Sequence, residues 1–235
     1  MKDFYSDWKK CRDCQGDDLQ FAQAFLNSEP AAFSFLRSDY TRAQFVDLLD
    51  LLQNIPTERF LDLICNQTCP HKYDTCEIPQ FSDFVKGVVV VPRILEFYPQ
   101  GIDFTELGER LIASKENEAN RKYGENHASL ASLMGLAKIK KKQRKLVFPT
   151  GLGHFLIDYQ IEEKSKLLKA VLLQKPFIQA MISIALNGHG SYGSLMRGLA
   201  VSTAKRRRQS IRHLVEFILI GTNSETNLKN IDWTV

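Results

Sequence analysis

Hydrophobic positions recur at helical spacing along most of this chain. In TRAQFVDLLDLLQNI the apolar residues from Phe45 to Leu52 fall at i, i+3, i+4 and i+7, which is the spacing of one helix face. The same period continues in DFTELGERLI and in NEANRKYGENHASLASLMGLAK. In contrast, AKIKKKQRKLVFPT has two short strand-like runs around a polar centre, which predicts a β-hairpin. The pattern therefore predicts a mainly α protein with small β-hairpins.

Two apolar segments leave alternatives open. FSDFVKGVVVVPRILEFYP fits a strand at the valines or a helix broken near Pro92. SKLLKAVLLQKPFIQAMISIAL fits one long helix kinked at Pro176 or two shorter helices.

The order of the predicted elements indicates the type of fold. Three helices followed by a basic hairpin, in residues 81–160, match the winged helix, a variant of the helix-turn-helix. Residues 161–235 repeat the helical part of that order as a second winged-helix-like domain. Pro70 and Pro79 bracket an irregular segment, so a boundary near Gln80 separates a helical N-terminal module, residues 1–80. The predicted fold is mainly α, with tandem winged-helix/helix-turn-helix units after that module.

Charge is distributed unevenly along the chain. Residues 1–100 carry 10 Lys+Arg and 15 Asp+Glu, whereas residues 101–235 carry 21 and 12. This asymmetry predicts that the C-terminal part binds a polyanion, with a partner protein at the acidic N-terminal module as a further hypothesis. The apolar runs are far shorter than the roughly 20 residues of a membrane span, and the N-terminus has no signal-type apolar region. The expectation is a cytoplasmic, nucleoid-associated protein without a membrane partner.

The segment VSTAKRRRQSIRHLVEFIL concentrates cations ahead of an apolar tail. On a helical wheel one apolar stripe opposes a basic face, with Ser202 as the expected N-cap. Cations in the N-terminal turns oppose the helix dipole, and a bound phosphate would compensate. A plain surface helix, RNA or an acidic protein partner remain alternatives. The residues predicted to contact double-stranded DNA here are Lys205, Arg206, Arg207, Arg208, Gln209 and Arg212.

The predicted hairpin supplies a second basic cluster. Its density of cations suits phosphate contact, although a solvated hairpin without a ligand is the alternative. The predicted contacts are Lys140, Lys141, Lys142, Arg144 and Lys145 of the hairpin, with Arg121, Lys122, Asn126 and His127 of the preceding helix.

Three strings carry a family resemblance: KYGENHASLASLMGLAK, LVFPTGLGHFLID and STAKRRRQSIRHLVEFI. Together, over roughly residues 85–220, they resemble the paired winged-helix modules of bacterial restriction- and defence-associated DNA-binding proteins. Where that family usually has a Trp after the arginines, this chain has LVEF at 214–217. The resemblance implies duplex DNA binding, with Arg206, Arg207 and Arg208 as the closest match. It suggests the recognition component of a restriction-modification or defence system, or a regulator of transcription or replication.

All five cysteines lie in the first 80 residues, at Cys11, Cys14, Cys65, Cys69 and Cys76. A disulfide framework is not expected in a cytosolic chain. Two close pairs, with His71 as another candidate ligand, could close a tetrahedral Zn²⁺ site. An iron–sulfur cluster and free or packed cysteines are the alternatives.

Catalytic patterns are weak. GHGSYG follows a helical segment instead of a strand, so a helix–helix turn is a better interpretation than a dinucleotide site. DYQIEEK, residues 158–164, resembles part of the acid–acid–lysine pattern of restriction nucleases, but it is predicted on a helix. The main hypothesis is thus a non-catalytic, sequence-specific DNA-binding protein. The alternatives are a metal-dependent, type II-like restriction endonuclease with dispersed acidic residues, or an adaptor whose winged helices bind protein.

Overall fold

The computed structural model describes residues 18–27, 42–65, 73, 78–112, 114, 116–141 and 144–235. These residues are mainly helical and contain one small three-stranded antiparallel sheet. They form two compact units. Of the described residues, unit 1 holds 18–27, 48–65, 73, 78 and 166–235, and unit 2 holds 42–47, 79–112, 114, 116–141 and 144–165.

The α-helices are α1 (Asp18–Leu26), α2 (Arg42–Asn54), α3 (Thr57–Cys65), α4 (Val91–Leu95), α5 (Phe104–Ile112), α6 (Asn117–Leu133), α7 (Gly151–Phe155), α8 (Ile161–Leu173), α9 (Pro176–Asn187), α10 (Tyr192–Leu195) and α11 (Val201–Leu219). A π-helical turn, Lys86–Val90, leads directly into α4, and 3₁₀ turns span Leu156–Asp158 and Glu225–Asn230. The strands are β1 (Ile102–Asp103), β2 (Ala137–Lys141) and β3 (Lys145–Pro149).

The predicted hairpin is confirmed in unit 2. β2 and β3 pair antiparallel from Ala137 opposite Pro149 to Lys141 opposite Lys145. β1 pairs with the other edge of β3, so the strand order is β1-β3-β2. Buried Val147 and Phe148 hold β3 against the core.

Both proline-containing segments form helices. Pro92 lies in the first turn of α4, directly after the π-helical turn, and its missing N–H removes one hydrogen bond where the helical ladder changes from π to α. Val88, Val91 and Leu95 are buried, so the valine run supports a buried helix. Pro176 likewise begins α9, so the second segment forms two helices instead of one.

In unit 2 the backbones of α5 and α6 pass very close to each other. A Cβ atom on Gly108 would lie 1.8 Å from the carbonyl oxygen of Asn120, and one on Gly124 would lie 2.0 Å from that of Phe104. The buried Asn120 side chain donates to the Ser114 carbonyl (3.0 Å) and accepts from its N–H (3.2 Å). Two glycines and one asparagine therefore define the crossing of these helices.

In unit 1 the N-terminal helices share a core with the C-terminal ones. Phe25 of α1 packs edge-on against Phe60 of α3, with 6.1 Å between ring centroids. The Gln174 side-chain N–H donates to the Phe25 carbonyl (2.8 Å), and that of Asn187 donates to the Cys65 carbonyl (3.1 Å). Segments separated by more than 100 residues thus form one folded unit.

One detail of the C-terminal region differs from prediction. The N-cap of α11 is Ala200, without a side-chain cap, and Ser202 lies exposed inside the first turn. No second hairpin follows α11. Residues 220–235 are all described and contain one 3₁₀ turn. Their β-type pairing is a single bridge from Asp232 to Ser191. The polar run TNSETNLKN lacks the alternating apolar residues that hold a strand against a core.

Among the described residues, no single helix has both the length and the apolar character needed to cross a membrane. Helices α8 and α9 together satisfy the length and composition criteria, but they are bent by 97° relative to each other.

The α5–α6 crossing predicts the effect of an added methyl group. Gly→Ala inside a helix ordinarily stabilises by about 0.5–1 kcal/mol. Gly124→Ala should instead lower the free energy of unfolding by about 1–3 kcal/mol or more, because the helices must separate. Urea unfolding followed by circular dichroism measures the change. Asn117→Ala, on the exposed first turn of α6, is the control and should change stability little; a stabilised Gly124→Ala variant would contradict the close crossing.

Candidate nucleic-acid interface

Helix α11 divides into a buried and an exposed face. The predicted apolar stripe is confirmed, because Ile211, Leu214, Val215 and Ile218 are all completely buried. The opposite face is exposed and consists of Lys205, Arg206, Gln209, Arg212 and His213. The stripe fixes the rotation of the helix about its axis, and this rotation places the polar side chains in solvent.

Helix α11 begins two residues earlier than the sequence pattern suggested, so its cations lie farther from the helix N-terminus. The first turn, Val201–Ala204, carries no charge, and the dipole effect falls off within the first turn. The conflict with the dipole is therefore smaller than expected. A more important cost is the mutual repulsion of four consecutive cations, residues 205–208. Among the described residues, no carboxylate lies within ion-pair distance of Lys205 or Arg206.

The other three arginines of α11 differ in their surroundings. Arg212 forms an ion pair with Glu216, at 2.7 Å. Arg208 stays exposed while its Nη1 donates to the Trp233 carbonyl at 3.3 Å. Arg207 is half-buried. The predicted arginines of this helix are thus in three different environments.

Tyr192 and Trp233 support this helix, and no sequence pattern predicts this role. The buried Tyr192 hydroxyl donates to the Ala204 carbonyl at 2.8 Å. Burial raises its pKa to about 12, although the charges of Arg207 and Arg208 act in the opposite direction. The Trp233 ring packs against the Tyr192 ring, with centroids 5.7 Å apart. No local pattern links Trp233 to Arg208, because 25 residues separate them.

The exposed cations of α6 in unit 2 are neutralised by carboxylates. Arg121 Nε donates to Glu118 at 2.8 Å and its Nη1 donates to Glu125 at 3.2 Å. Lys122 lies 3.4 Å from Glu118. These hydrogen bonds, above all the one from Arg121, hold the pKa of Glu118 at about 2. A phosphate group would have to displace a carboxylate in order to bind Arg121.

The hairpin cations of unit 2 are largely engaged as well. Arg144 donates to Asp103 at 2.7 Å, and Lys145 lies 3.7 Å from Glu125. The Lys140 ammonium lies 5.6 Å from the centroid of the Phe148 ring, whereas Lys141 is exposed. Lys142 lies outside the described residues. Glu125 therefore brings Arg121 of α6 and Lys145 of β3 together.

His127 has to be removed from the predicted contacts. Its side chain is completely buried, since it faces the core side of α6 and cannot reach a ligand at the surface. Nδ1 donates to the Tyr123 carbonyl at 2.9 Å, and Nε2 has no hydrogen-bond partner among the described residues. Burial lowers the pKa of His127, opposed by the Tyr123 hydrogen bond and the Asp83 charge and assisted by Lys86. Asn126, in contrast, is partly exposed.

Of the five predicted zinc ligands, the structure describes one. The Cys65 thiol donates to the Asn187 side-chain oxygen at 3.0 Å. Cys11, Cys14, Cys69 and Cys76, and also His71, lie outside the described residues. Within the described part of the chain, no group of three or more His, Cys, Asp or Glu side chains could hold a metal ion. The zinc site stays a prediction.

The DYQIEEK segment does not assemble an acid–acid–lysine group. Lys164 is buried and its Nζ donates to the Leu156 carbonyl at 3.2 Å. Asp158 and Glu162 are exposed, and Glu163 accepts a hydrogen bond from the backbone N–H of Gln160. The lysine faces the core while the acids face solvent.

No protein-family model, no curated protein and no solved structure matches this chain.

The burial of His127 predicts a pH dependence of stability. Because its folded pKa lies below the ordinary value of 6.5, the contribution of neutral His127 is fully present above pH 6.5 and is lost as the pH falls below it. One proton changes the free energy of unfolding by at most about 1.4 kcal/mol per pH unit. Denaturant unfolding between pH 5 and 8 should show this decline in the wild type and a smaller one in His127→Gln.

His189→Gln is the matched control, because His189 is exposed; it should retain the wild-type slope. Equal slopes in His127→Gln and the wild type would show that the buried imidazole does not take part.

Proposed function

We propose that this chain is a sequence-specific double-stranded DNA-binding protein whose main contact surface is the exposed face of α11. The observation that carries this proposal is the cluster of cations at 205–208, where Lys205 and Arg206 are exposed without an acidic partner among the described residues. A phosphate backbone supplies closely spaced negative charges that offset such repulsion. Arginine also forms a bidentate contact with guanine in the major groove.

The comparison with α6 supports this assignment. Both helices expose cations, but on α6 two glutamates one turn from Arg121 satisfy its guanidinium. Binding of phosphate there exchanges one anion for another, whereas at Lys205 and Arg206 it adds a new attraction. The DNA-contact role of Arg121 and Lys122 is therefore secondary in this proposal.

We further propose that unit 2 is a winged-helix domain. Within unit 1, helices α9, α10 and α11 would form a second helix-turn-helix-like motif, which has no wing. In support, three helical segments precede a hairpin in unit 2, and the short strand β1 joins that hairpin in one sheet. The homeodomain, a three-helix variant of the helix-turn-helix, reads the major groove with its third helix, and α11 is the third helix of the α9–α10–α11 group. On the basis of the resemblance described above, the proposed role is recognition within a restriction-modification or defence system, or regulation of transcription or replication.

This proposal predicts a steep dependence of DNA affinity on salt. Each phosphate neutralised contributes about −0.9 to the slope of log K against log [salt]. Lys205→Ala and Arg206→Ala should each weaken binding to any duplex and make that slope shallower by about one. Fluorescence anisotropy with a labelled duplex between 50 and 300 mM salt measures both quantities.

Arg59→Ala removes the same charge from an exposed position of α3 and should leave affinity and slope nearly unchanged. Wild-type affinity that does not vary with salt, or Arg59→Ala losses equal to those of Arg206→Ala, would overturn the proposal.

A further inference from the structure

The exposed face of α11 has a regular internal arrangement. At about 100° per residue, Ser202 and Gln209 project in nearly the same direction, along the middle of this face. Lys205 and Arg212 lie about 40–60° to one side of Gln209, and Arg206 and His213 lie about 40–60° to the other. All six side chains are at least partly exposed. Ser202 and Gln209 thus form a neutral polar line between Lys205 and Arg212 on one side and Arg206 on the other. Glu216, which falls on the same line one turn beyond Arg212, forms an ion pair with Arg212 at 2.7 Å.

This arrangement matches the cross-section of a major groove. A helix that lies in the groove directs the middle of its outer face at the base edges and its two flanks at the two phosphate backbones. Cations on both flanks can neutralise phosphates on both strands. Ser202 and Gln209, in the middle, then face donors and acceptors that differ from one base pair to another.

The Gln209 amide is held in a defined orientation. Its Nε2 donates to Nε2 of His213, one turn later, at 2.9 Å. An amide nitrogen carries two hydrogens, so one N–H remains beside the carbonyl oxygen. This donor–acceptor pair complements N7 and the N6 amino group of adenine.

We infer that Gln209 is the base-contacting residue of α11, that it selects adenine in a duplex, and that His213 is the positioning residue that orients its amide. The inference rests on the proposed DNA-binding function. Lys205 and Arg206 provide affinity for any sequence, and Gln209 provides discrimination.

Selection of bound duplexes from a random pool tests this assignment. Wild-type protein should select a motif that contains an A·T pair, and Gln209→Ala should lose the preference at that pair. On the selected duplex Gln209→Ala should bind about 10- to 100-fold more weakly, whereas its affinity for random duplex and its salt slope stay unchanged. Lys205→Ala is the matched control: it weakens selected and random duplexes equally and keeps the motif.

His213 is tested by the ratio of affinities for the selected duplex and for the duplex with that A·T pair replaced by G·C. His213→Ala should lower this ratio, and His213→Asn, whose side-chain carbonyl can accept from Gln209, should restore part of it. A merely structural histidine would change both affinities together and leave the ratio constant.

The outcomes separate the two proposals. If wild-type protein binds no duplex in a salt-dependent manner, the DNA-binding function and this inference both fail. If wild type binds but selects no motif, or if Gln209→Ala selects the wild-type motif with the wild-type affinity ratio, the inference alone is wrong. A motif lost in Arg206→Ala but kept in Gln209→Ala would assign base contact to the arginine instead.

Discussion

The burial of one apolar stripe on α11 is the constraint on which the proposed interface depends. Ile211, Leu214, Val215 and Ile218 are excluded from water, and each buried aliphatic side chain of this size contributes about 1.5–3 kcal/mol. Rotation of the helix about its axis would expose this stripe, so the rotation is fixed. Because α11 is a rigid helix, the direction of its polar side chains is fixed with it.

Contacts from distant parts of the chain hold the two ends of α11. Near the N-terminus, the Tyr192 hydroxyl binds the Ala204 carbonyl, and the Trp233 carbonyl binds Arg208. At the C-terminus, the buried Lys169 ammonium donates to the Ile220 carbonyl at 2.7 Å, which is favourable at a helix end that exposes carbonyl oxygens. A surface that needs defined side-chain geometry benefits from such support, because it loses less conformational entropy on binding.

The two basic regions show that the number of cations does not by itself indicate a binding surface. The α6 and hairpin region is rich in Lys and Arg, yet Glu118, Glu125 and Asp103 accept ion pairs from several of them. Exposed ion pairs of this kind add little stability, typically about 0–1 kcal/mol, but they compete with an incoming anion. At Lys205 and Arg206 such competition is absent among the described residues. This difference in pairing distinguishes the two surfaces more clearly than charge density does.

Local sequence patterns were sufficient for features that depend on neighbouring residues. They determined the helical character of the chain, the β2–β3 hairpin and the division of α11 into apolar and basic faces, because periodicity and propensity act over a few turns. Tertiary structure alone decided that N-terminal and C-terminal helices share a core, that His127 is buried, and that Asp103 and Glu125 neutralise hairpin cations. These outcomes depend on side chains that are distant in sequence and meet only after folding, so no local period encodes them.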